Sequence, residues 1–274
     1  MRSRFQQVDV FASRPYFGNA VAVILDAEQM QRIARWTNLS ETTFVLRPTQ
    51  SGADYRARIF TPTHELPFAG HPTLGTCHAW LSDRETRGAR RRDDVIVQEC
   101  GAGLVELRRI DGRLAFAGPP LLRSGPVEEA LVDHIARVLR IERAEIVDAE
   151  WVDNGPGWVG VRLASPDAVL ALRPGFVDLD LAVVAAYSAG SPTALEVRAF
   201  FPDGTTTVED PVTGSLGASL APWLVRTGVV TAPFVISQGA AVGRDGRVHV
   251  SIDDGGTVWV AGNTTTVIEG EIEL

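Results

Sequence analysis

The sequence predicts an α+β protein built from two similar domains, and three observations support this prediction. Short stretches in which apolar and polar residues alternate recur along the chain, whereas only three stretches have the spacing of amphipathic helices. A motif of the first half recurs in the second half, and a run of turn-forming residues lies between the two copies. With 274 residues, 45% of them hydrophobic, the chain is long enough to form two cores.

The individual elements follow from the hydrophobic periodicity. Alternation predicts strands at 6–11, 54–60, 95–98, 157–163 and 248–252. Helical spacing predicts helices at 27–36 behind Asp26 as N-cap, at 127–139 opened by Pro126, and at 211–226. The glycine- and proline-rich stretch 118–126 is the best candidate for a linker, and it divides the chain near its middle.

The repeated motif surrounds a proline in each half. His71-Pro72 aligns with Asp210-Pro211, and a glycine, a hydroxyl residue, an alanine and a leucine recur in register at a constant offset of 139 (210 − 71). Upstream, Arg58 to Pro62 matches Arg198 to Pro202 at an offset of 140. A duplicated domain is the natural explanation, and chance similarity over so few positions is the alternative.

In both copies a polar residue precedes proline, and an apolar stretch follows, which is typical of an N-cap with proline at the first helical position. The sequence therefore predicts that His71 and Asp210 each lie at a helix N-terminus. If the two halves face one another, the two helix starts offer unpaired N–H groups to an anion, such as a substrate carboxylate. Two ordinary helix starts without a ligand are the alternative.

Composition excludes several classes of function. The net charge of −8 does not favour nucleic acid or anionic membranes as partners. The chain contains no lysine, so a Schiff base, a pyridoxal-phosphate lysine and a P-loop lysine are excluded, and no glycine fingerprint for a nucleotide is found. No cofactor is expected. Without a signal-like segment or about 20 consecutive apolar residues, the chain is expected to be a soluble cytoplasmic protein.

The cysteines and histidines do not predict a metal or redox site. Cys77 and Cys100 lack Cys-x-x-Cys spacing and are expected to be buried free thiols. His64, His71 and His78 are spaced by seven residues, but prolines interrupt any helix through the first two, so no metal site is predicted. The remaining two, His134 and His249, are expected to be structural.

Glu41 follows the first predicted helix and begins a predicted strand. A single glutamate in such a place is usually solvated, so its local sequence does not assign it a role.

Four groups of residues together resemble a known family. These are Val8 to Phe11 with Gly18-Asn19, then 39–42, 60–73 and 209–215. In this order they resemble the PhzF-like family of the diaminopimelate-epimerase fold, from one end of the chain to the other. The resemblance implies two pseudo-symmetric β-rich domains, each wrapped around a central helix, with the site between them and a homodimer as the assembly. The implied domains are 1–118, to which the strand 265–274 returns, and 119–264.

The resemblance also implies a reaction and assigns roles to residues. The type member isomerises trans-2,3-dihydro-3-hydroxyanthranilate, so the expected function is a cofactor-independent isomerase that moves a proton and a double bond on a small carboxylate-bearing substrate. The residues at the family's catalytic positions are Glu41 as acid/base, His71 and Asp210. Those at its substrate-binding positions are Asn19, Gly70, Gly214 and Ser215.

Three residues depart from the family pattern, namely Ala20, Trp36 and Leu216, and the last two are expected to reshape the pocket. The loops at 154–157 and 238–239 resemble family loops and are read first as turns. Two alternatives remain, an isomerase or epimerase of a different small metabolite and a non-catalytic metabolite-binding protein. A two-thiol racemase is set aside because neither cysteine occupies a predicted helix start.

Overall fold

The structure, a computed structural model, describes residues 2–25, 29–86 and 95–274. The chain divides into two compact units. Unit 1 comprises Met1–Ala117 together with Ala261–Leu274, and unit 2 comprises Gly118–Val260. Both units are rich in strands and contain few helices, so the predicted α+β class is confirmed.

The elements, in chain order, are as follows. The strands are β1 (Arg2–Val10), β2 (Asn19–Leu25), β3 (Glu41–Leu46), β4 (Tyr55–Phe60), β5 (Glu65–Leu66), β6 (Val95–Cys100), β7 (Gly103–Ile110), β8 (Arg113–Ala117), β9 (Arg123–Pro126), β10 (Ile146–Asp153), β11 (Val159–Leu163), β12 (Leu181–Ala186), β13 (Leu195–Asp203), β14 (Thr206–Asp210), β15 (Phe234–Gln238), β16 (Gly246–Ile252), β17 (Val258–Gly262) and β18 (Thr264–Glu273). The α-helices are α1 (Met30–Thr37), α2 (Gly70–Thr86), α3 (Glu129–Leu139), α4 (Pro166–Ala171) and α5 (Gly214–Arg226).

Unit 1 is a mixed sheet with α2 packed against it. The parallel pair β2 and β3 is connected through α1, and the parallel pair β4 and β6 is connected through α2. Strand β18 pairs antiparallel with β1, from Arg2 with Glu273 to Val10 with Thr264. A Cβ at Gly75 of α2 would lie 2.3 Å from Cγ1 of Val21. Glycine therefore allows the helix to approach β2 closely.

Unit 2 repeats this arrangement. The parallel pair β11 and β12 is connected through α4, and the parallel pair β13 and β15 is connected through α5. Strand β9 pairs antiparallel with β10, as β18 does with β1 in unit 1. The core between the sheet and helices α3 and α4 includes Ile135, Leu139, Val169 and Leu181. Burial of such aliphatic side chains is the main stabilising contribution to the unit.

Strand registers identify equivalent positions in the two units. Glu41 pairs with Val21 at the start of β3, and Leu181 pairs with Val159 at the start of β12. Leu181 is therefore the counterpart of Glu41.

Three residues separate each central helix from the strand before it, β5 or β14. The helices begin at Gly70 and Gly214, which is an offset of 144 (214 − 70). His71 and Ser215 are each the second residue of their helix, so they correspond. The sequence alignment of His71 with Asp210 at an offset of 139 is therefore wrong. Asp210, the last residue of β14, corresponds to Leu66 at the end of β5.

Strands occupy all five stretches where alternation predicted them, but the predicted helix starts need correction. Helix α1 begins at Met30, and the predicted start at 26–28 lies outside the described residues. Helix α3 begins at Glu129, so the prediction that Pro126 opens it is wrong. Pro126 ends β9, opposite Glu150 of β10. The stretch 118–126 thus includes a strand.

The prediction that Asp210 begins a helix is also wrong. Asp210 pairs with Ala199 at the end of β14, and α5 begins at Gly214 with Thr213 as N-cap. In α2, by contrast, the carbonyl of Ala69 already accepts a hydrogen bond from the N–H of Thr73 at 3.1 Å, so the helix starts before its proline. Proline fits the first turn because the N–H groups there have no partner within the helix.

No helix in the described part of the chain is long and apolar enough to cross a membrane.

Candidate active site

A carboxylate and an imidazole meet in unit 1. Glu41 is the first residue of β3, and His71 is the second residue of α2. Nε2 of His71 lies 3.2 Å from Oε2 of Glu41, and the two side chains are only 6% and 16% exposed. Among the described residues, neither atom has a hydrogen-bond partner of good geometry. Buried polar atoms without such partners are rare in folded proteins, and they are common where a ligand supplies the missing bond.

Asn19 approaches the other side of the imidazole. Its Nδ2 lies 3.3 Å from Nδ1 of His71, and Asn19 is 3% exposed. The residue opens β2, and the N–H of the preceding Gly18 donates to Oδ2 of Asp9 at 3.1 Å. A Cβ at position 18 would lie 2.1 Å from the carbonyl oxygen of Val10, so only glycine fits there. This packing fixes the backbone that carries Asn19.

The first turn of α2 adds backbone donors to the same region. Gly70 and His71 are the first two residues of the helix, and both are buried. Their N–H groups have no partner within the helix, and the positive end of the helix dipole lies there. The structure thus brings Asn19, Glu41, Gly70 and His71 together, as a site for an anionic or polar ligand requires.

In unit 2 the predicted residues lie at the end of β14 and the start of α5. The hydroxyl of Thr213 donates to Oδ2 of Asp210 at 2.5 Å. Gln238, which is 2% exposed, donates from Nε2 to this hydroxyl oxygen and to the carbonyl of Asp210, and its Oε1 accepts from the N–H of Thr213. Because its hydroxyl is directed to Asp210, the N-cap residue Thr213 makes no side-chain cap to α5.

The start of α5 has a second polar neighbour. Nδ2 of Asn154 donates to the carbonyl of Ser215 at 3.1 Å, and Asn154 is 9% exposed. Gly214 and Ser215, the first two residues of the helix, again have N–H groups without helical partners. Asn154 and Gln238 thus hold the residues at the start of α5. Gln238 is the last residue of β15, so the reading of 238–239 as a turn is wrong for this residue.

Neither cysteine has the properties of a nucleophile. Cys77 lies inside α2 and is fully buried, and burial raises the pKa of its thiol to about 12. Burial also raises the pKa of Cys100. Since the thiolate is the reactive form, both groups are inert thiols near neutral pH.

The other histidines make separate contacts. Both ring nitrogens of His78 contact threonine hydroxyls of β18, at Thr264 and Thr266. Nδ1 of His64 contacts neighbouring threonine hydroxyls in an exposed turn. His134 contacts Asp178 at 2.8 Å. In the described part of the chain, His, Cys, Asp and Glu form no group of three or more that is suited to hold a metal ion.

The three departures from the family pattern lie in different environments. Trp36 is 79% exposed on α1, and Leu216 is 1% exposed inside α5. Ala20 is half-buried in β2.

Two supporting residues were missed by the sequence analysis. Asp9 and Thr213 hold the backbone or side chain of a predicted site residue. Both lie inside the motifs that carry the family resemblance. Their closeness in sequence to Gly18 and Asp210 was therefore the only available signal.

Comparisons with known proteins find related chains over nearly the whole length of this one. The family described as "Phenazine biosynthesis-like protein" matches residues 8–270. The trans-2,3-dihydro-3-hydroxyanthranilate isomerase of Pseudomonas aeruginosa is 38% identical, with 99% of each chain covered. The protein named Antisense-enhancing sequence 1 of Schizosaccharomyces pombe is 35% identical, with 97% of each chain covered. A crystal structure of the Bacillus anthracis PhzF family protein covers 100% of both chains, with 22% identity and a TM-score of 0.81.

These matches show that the chain belongs to the PhzF-like family, as the sequence motifs indicated. The expectation that it is an enzyme of the isomerase class is confirmed. The alternative of a non-catalytic binding protein is therefore not retained.

Proposed function

We propose that this member of the PhzF-like family moves a proton and a double bond on a small carboxylate-bearing substrate without a cofactor, and that Glu41 carries the proton. The observation that supports this most is the contact between Oε2 of Glu41 and Nε2 of His71, two buried atoms without well-aligned partners among the described residues. A base must lie within hydrogen-bond reach of the proton that it removes. A carboxylate in a partly dry environment, next to an imidazole, has this capacity.

The proposed reaction has two steps. In the first, the Glu41 carboxylate takes a proton from a substrate carbon, so that an O–H bond forms, a C–H bond breaks, and the electron pair shifts the double bond. In the second, the protonated Glu41 returns its proton to a different carbon of the same conjugated system. The two steps together change no oxidation state of the substrate as a whole, so the reaction needs no oxidant, reductant or co-reactant. Because Glu41 is regenerated, one residue serves as base and then as acid.

The remaining residues are assigned to substrate binding and charge stabilisation. His71 donates a hydrogen bond next to the reacting carboxyl group. The N–H groups at the first turns of α2 and α5, from Gly70, Gly214 and Ser215, suit an anionic group such as a carboxylate. The Asp210 carboxylate suits a donor group of the substrate, such as an amine or a hydroxyl. The roles of Gly70, His71, Gly214 and Ser215 are supported by their positions at the helix starts, and that of Asp210 by its position at the end of β14.

Trans-2,3-dihydro-3-hydroxyanthranilate is the first candidate substrate because the Pseudomonas aeruginosa relative acts on it. A different small metabolite is the second candidate. It is favoured by the Schizosaccharomyces pombe relative, which is nearly as similar and whose name specifies no such compound.

The proposal is tested by incubating the purified protein with trans-2,3-dihydro-3-hydroxyanthranilate in H₂O and in D₂O, with and without EDTA. We expect turnover that EDTA does not change, and deuterium at the carbon that receives the proton only in those turnovers in which the proton on Glu41 exchanges with solvent before it is returned. Turnover of Glu41→Gln at the wild-type rate would contradict a proton shift through Glu41. Binding without turnover would favour the second candidate substrate, and loss of activity with EDTA would contradict cofactor independence.

A further inference from the structure

We propose that Asn19 is a positioning residue that holds His71 as a neutral imidazole with its proton on Nε2, facing Glu41. The inference rests on the proposed role of Glu41, and it replaces substrate binding as the main role of Asn19. It follows from the groups on the two sides of the ring. Nε2 is 3.2 Å from a carboxylate oxygen of Glu41, and Nδ1 is 3.3 Å from the amide nitrogen of Asn19.

The two neighbours select one protonation state of the ring. The amide nitrogen of Asn19 only donates, so Nδ1 must present its lone pair. In histidine the bond at one nitrogen sets the state of the other, so the hydrogen of the neutral ring is on Nε2. This places the hydrogen on the nitrogen that lies 3.2 Å from the Glu41 carboxylate, a group that only accepts when ionised, although the two atoms are not aligned as a hydrogen bond. In an imidazolium, Nδ1 would also carry a hydrogen, and this N–H would point at the amide N–H of Asn19, so that two donors would face each other.

Asn19 is placed rigidly enough for this role. It is 3% exposed and pairs with Val10 at the start of β2. The preceding Gly18 is held by Asp9 and has no room for a side chain. His71 is itself buried in the first turn of α2. The amide and the imidazole are therefore held by two different elements of unit 1, and neither lies in a flexible exposed loop.

The consequence concerns the proton on Glu41 between the two steps of the reaction. Nε2 of His71 already carries a hydrogen, so it has no lone pair to accept the proton that Glu41 has taken from the substrate. Nδ1 has a lone pair, but it faces Asn19 and not Glu41. The proton therefore stays on Glu41 until it is returned to the substrate. Asn19 thus acts through His71 to prevent loss of the proton to the ring.

The decisive substitution is Asn19→Asp, which replaces a donor by an acceptor of nearly the same shape. A carboxylate at position 19 binds a proton on Nδ1, so the ring between two carboxylates becomes an imidazolium. Asn19→Ser is the milder companion variant because it shortens the side chain by one bond and so removes the donor at Nδ1, but it introduces no carboxylate there. Asn38→Asp is the matched control, since it makes the same chemical change at an exposed residue after α1.

The test uses the full-length chain labelled with ¹⁵N-histidine, without substrate, near neutral pH. The His71 signals are identified by their loss in His71→Gln. We expect wild type, Asn19→Ser and Asn38→Asp to show the neutral ring with hydrogen on Nε2, and Asn19→Asp to show a doubly protonated ring. Hydrogen on Nδ1 in the wild type would overturn the proposal, even if Asn19→Asp failed to fold. A folded Asn19→Asp protein with an unchanged His71 ring would overturn it as well.

Kinetics provide a second readout once a substrate is turned over. For Asn19→Asp we expect kcat to fall by roughly tenfold or more, while KM changes by less than about threefold. A raised KM with unchanged kcat would instead assign Asn19 to substrate binding and overturn the positioning role. Because the NMR signals need no substrate, a failure of the proposed isomerisation leaves this test intact, and the two failures can be told apart.

Discussion

The two units have the same sequence of strands and central helices but differ in their chemistry at equivalent positions. Glu41 starts β3 in unit 1, whereas the equivalent Leu181 starts β12 in unit 2 and is fully buried. His71 follows the start of α2, and Ser215 follows the start of α5. Only unit 1 therefore has a carboxylate and an imidazole at these positions. The difference indicates that the repeated framework provides helix starts twice and the proposed proton-transfer group once.

A second difference concerns an ion pair that occurs in both units. Arg58 and Glu65 form two parallel hydrogen bonds of 2.8 and 2.6 Å in unit 1, and Arg198 and Glu209 form the same pair in unit 2 at 3.0 and 2.7 Å. The side chains are 34% and 40% exposed in unit 1 but only 5% and 12% exposed in unit 2. The two ion pairs have nearly the same geometry, but one is exposed and the other is buried. Breaking the buried pair should therefore lower the free energy of unfolding more than breaking the exposed one.

The largest expected effect tests whether the base lies in unit 1 alone, by comparing a substitution of Glu41 with one of Ser215 in unit 2. Glu41→Gln keeps the size and hydrogen bonding of the side chain but cannot take a proton, so turnover should fall by at least about 10²-fold. Ser215→Ala, at the counterpart of His71, removes one hydrogen-bonding group and should change kcat/KM by about tenfold or less. Steady-state kinetics of both variants measure the difference. Glu106→Gln, an exposed glutamate on β7, is the control. Equal losses in Glu41→Gln and Ser215→Ala would contradict a base confined to unit 1.

The next effect compares the two ion pairs. Glu209→Gln removes the carboxylate that is paired with the buried Arg198 and should lower the free energy of unfolding by about 3 kcal/mol. Glu65→Gln removes the equivalent group from an exposed pair and should cost about 1 kcal/mol or less. Urea-induced unfolding of both variants provides the measurement. If the two variants lost similar stability, burial would not be what distinguishes the pairs.

A smaller effect concerns Asp180, which directly precedes Leu181. Burial, together with the charge of Asp153, raises the pKa of Asp180 from 3.8 to about 6. The folded state therefore favours the neutral carboxyl. As pH rises from 3.8 to about 6, this group increasingly lowers the stability of the fold, and the whole destabilising effect is present at higher pH. Asp180→Asn should raise the melting temperature near neutral pH, and the gain should disappear toward pH 4. The N–H of Val159 still has the backbone carbonyl of residue 180 as its acceptor. A gain that is constant with pH would contradict the prediction.

The smallest effect has the opposite dependence on pH and belongs to unit 1. Burial, with a contribution from the charge of Arg109, lowers the pKa of His78 below 6.5, while Glu85 opposes this shift. The unfolded chain therefore binds the proton first, and stability is lost as pH falls below 6.5 toward the lower pKa of the folded state. His78→Gln keeps a polar side chain near Thr264 and Thr266 but cannot become charged. Thermal unfolding between neutral pH and about pH 5 should show a weaker loss in the variant. An equal loss would exclude His78 as a source of the acid sensitivity.

The fold was largely predictable because its signals are local. Alternation over four to seven residues is enough to indicate a strand, and every strand predicted in this way is found. The start of α5 was not predictable in the same way. A polar residue before proline fits an N-cap as well as the end of a strand, and the pairing of Asp210 with Ala199, 11 residues away (210 − 199), decides between them.

The candidate site was predictable only through the family resemblance. Asn19, Glu41 and His71 are far apart in sequence, and their proximity arises from the parallel pairing of β2 with β3 and from the packing of α2 on both. No local pattern contains this information. The hydrogen bonds of Asp9 and Thr213 depend on loop conformations, which single-residue preferences do not specify.

The pairing of β18 with β1 also determines the order in which the units can be completed during synthesis. Unit 2 is one continuous segment, whereas unit 1 needs residues 261–274, which leave the ribosome after all of unit 2. The edge of β1 that pairs with β18 therefore stays unpaired while unit 2 is synthesised and folds. Closing so long a loop adds an entropic barrier to this last step. The unit that carries Glu41 is thus the last to be finished, and catalytic competence should appear only when the final strand has docked.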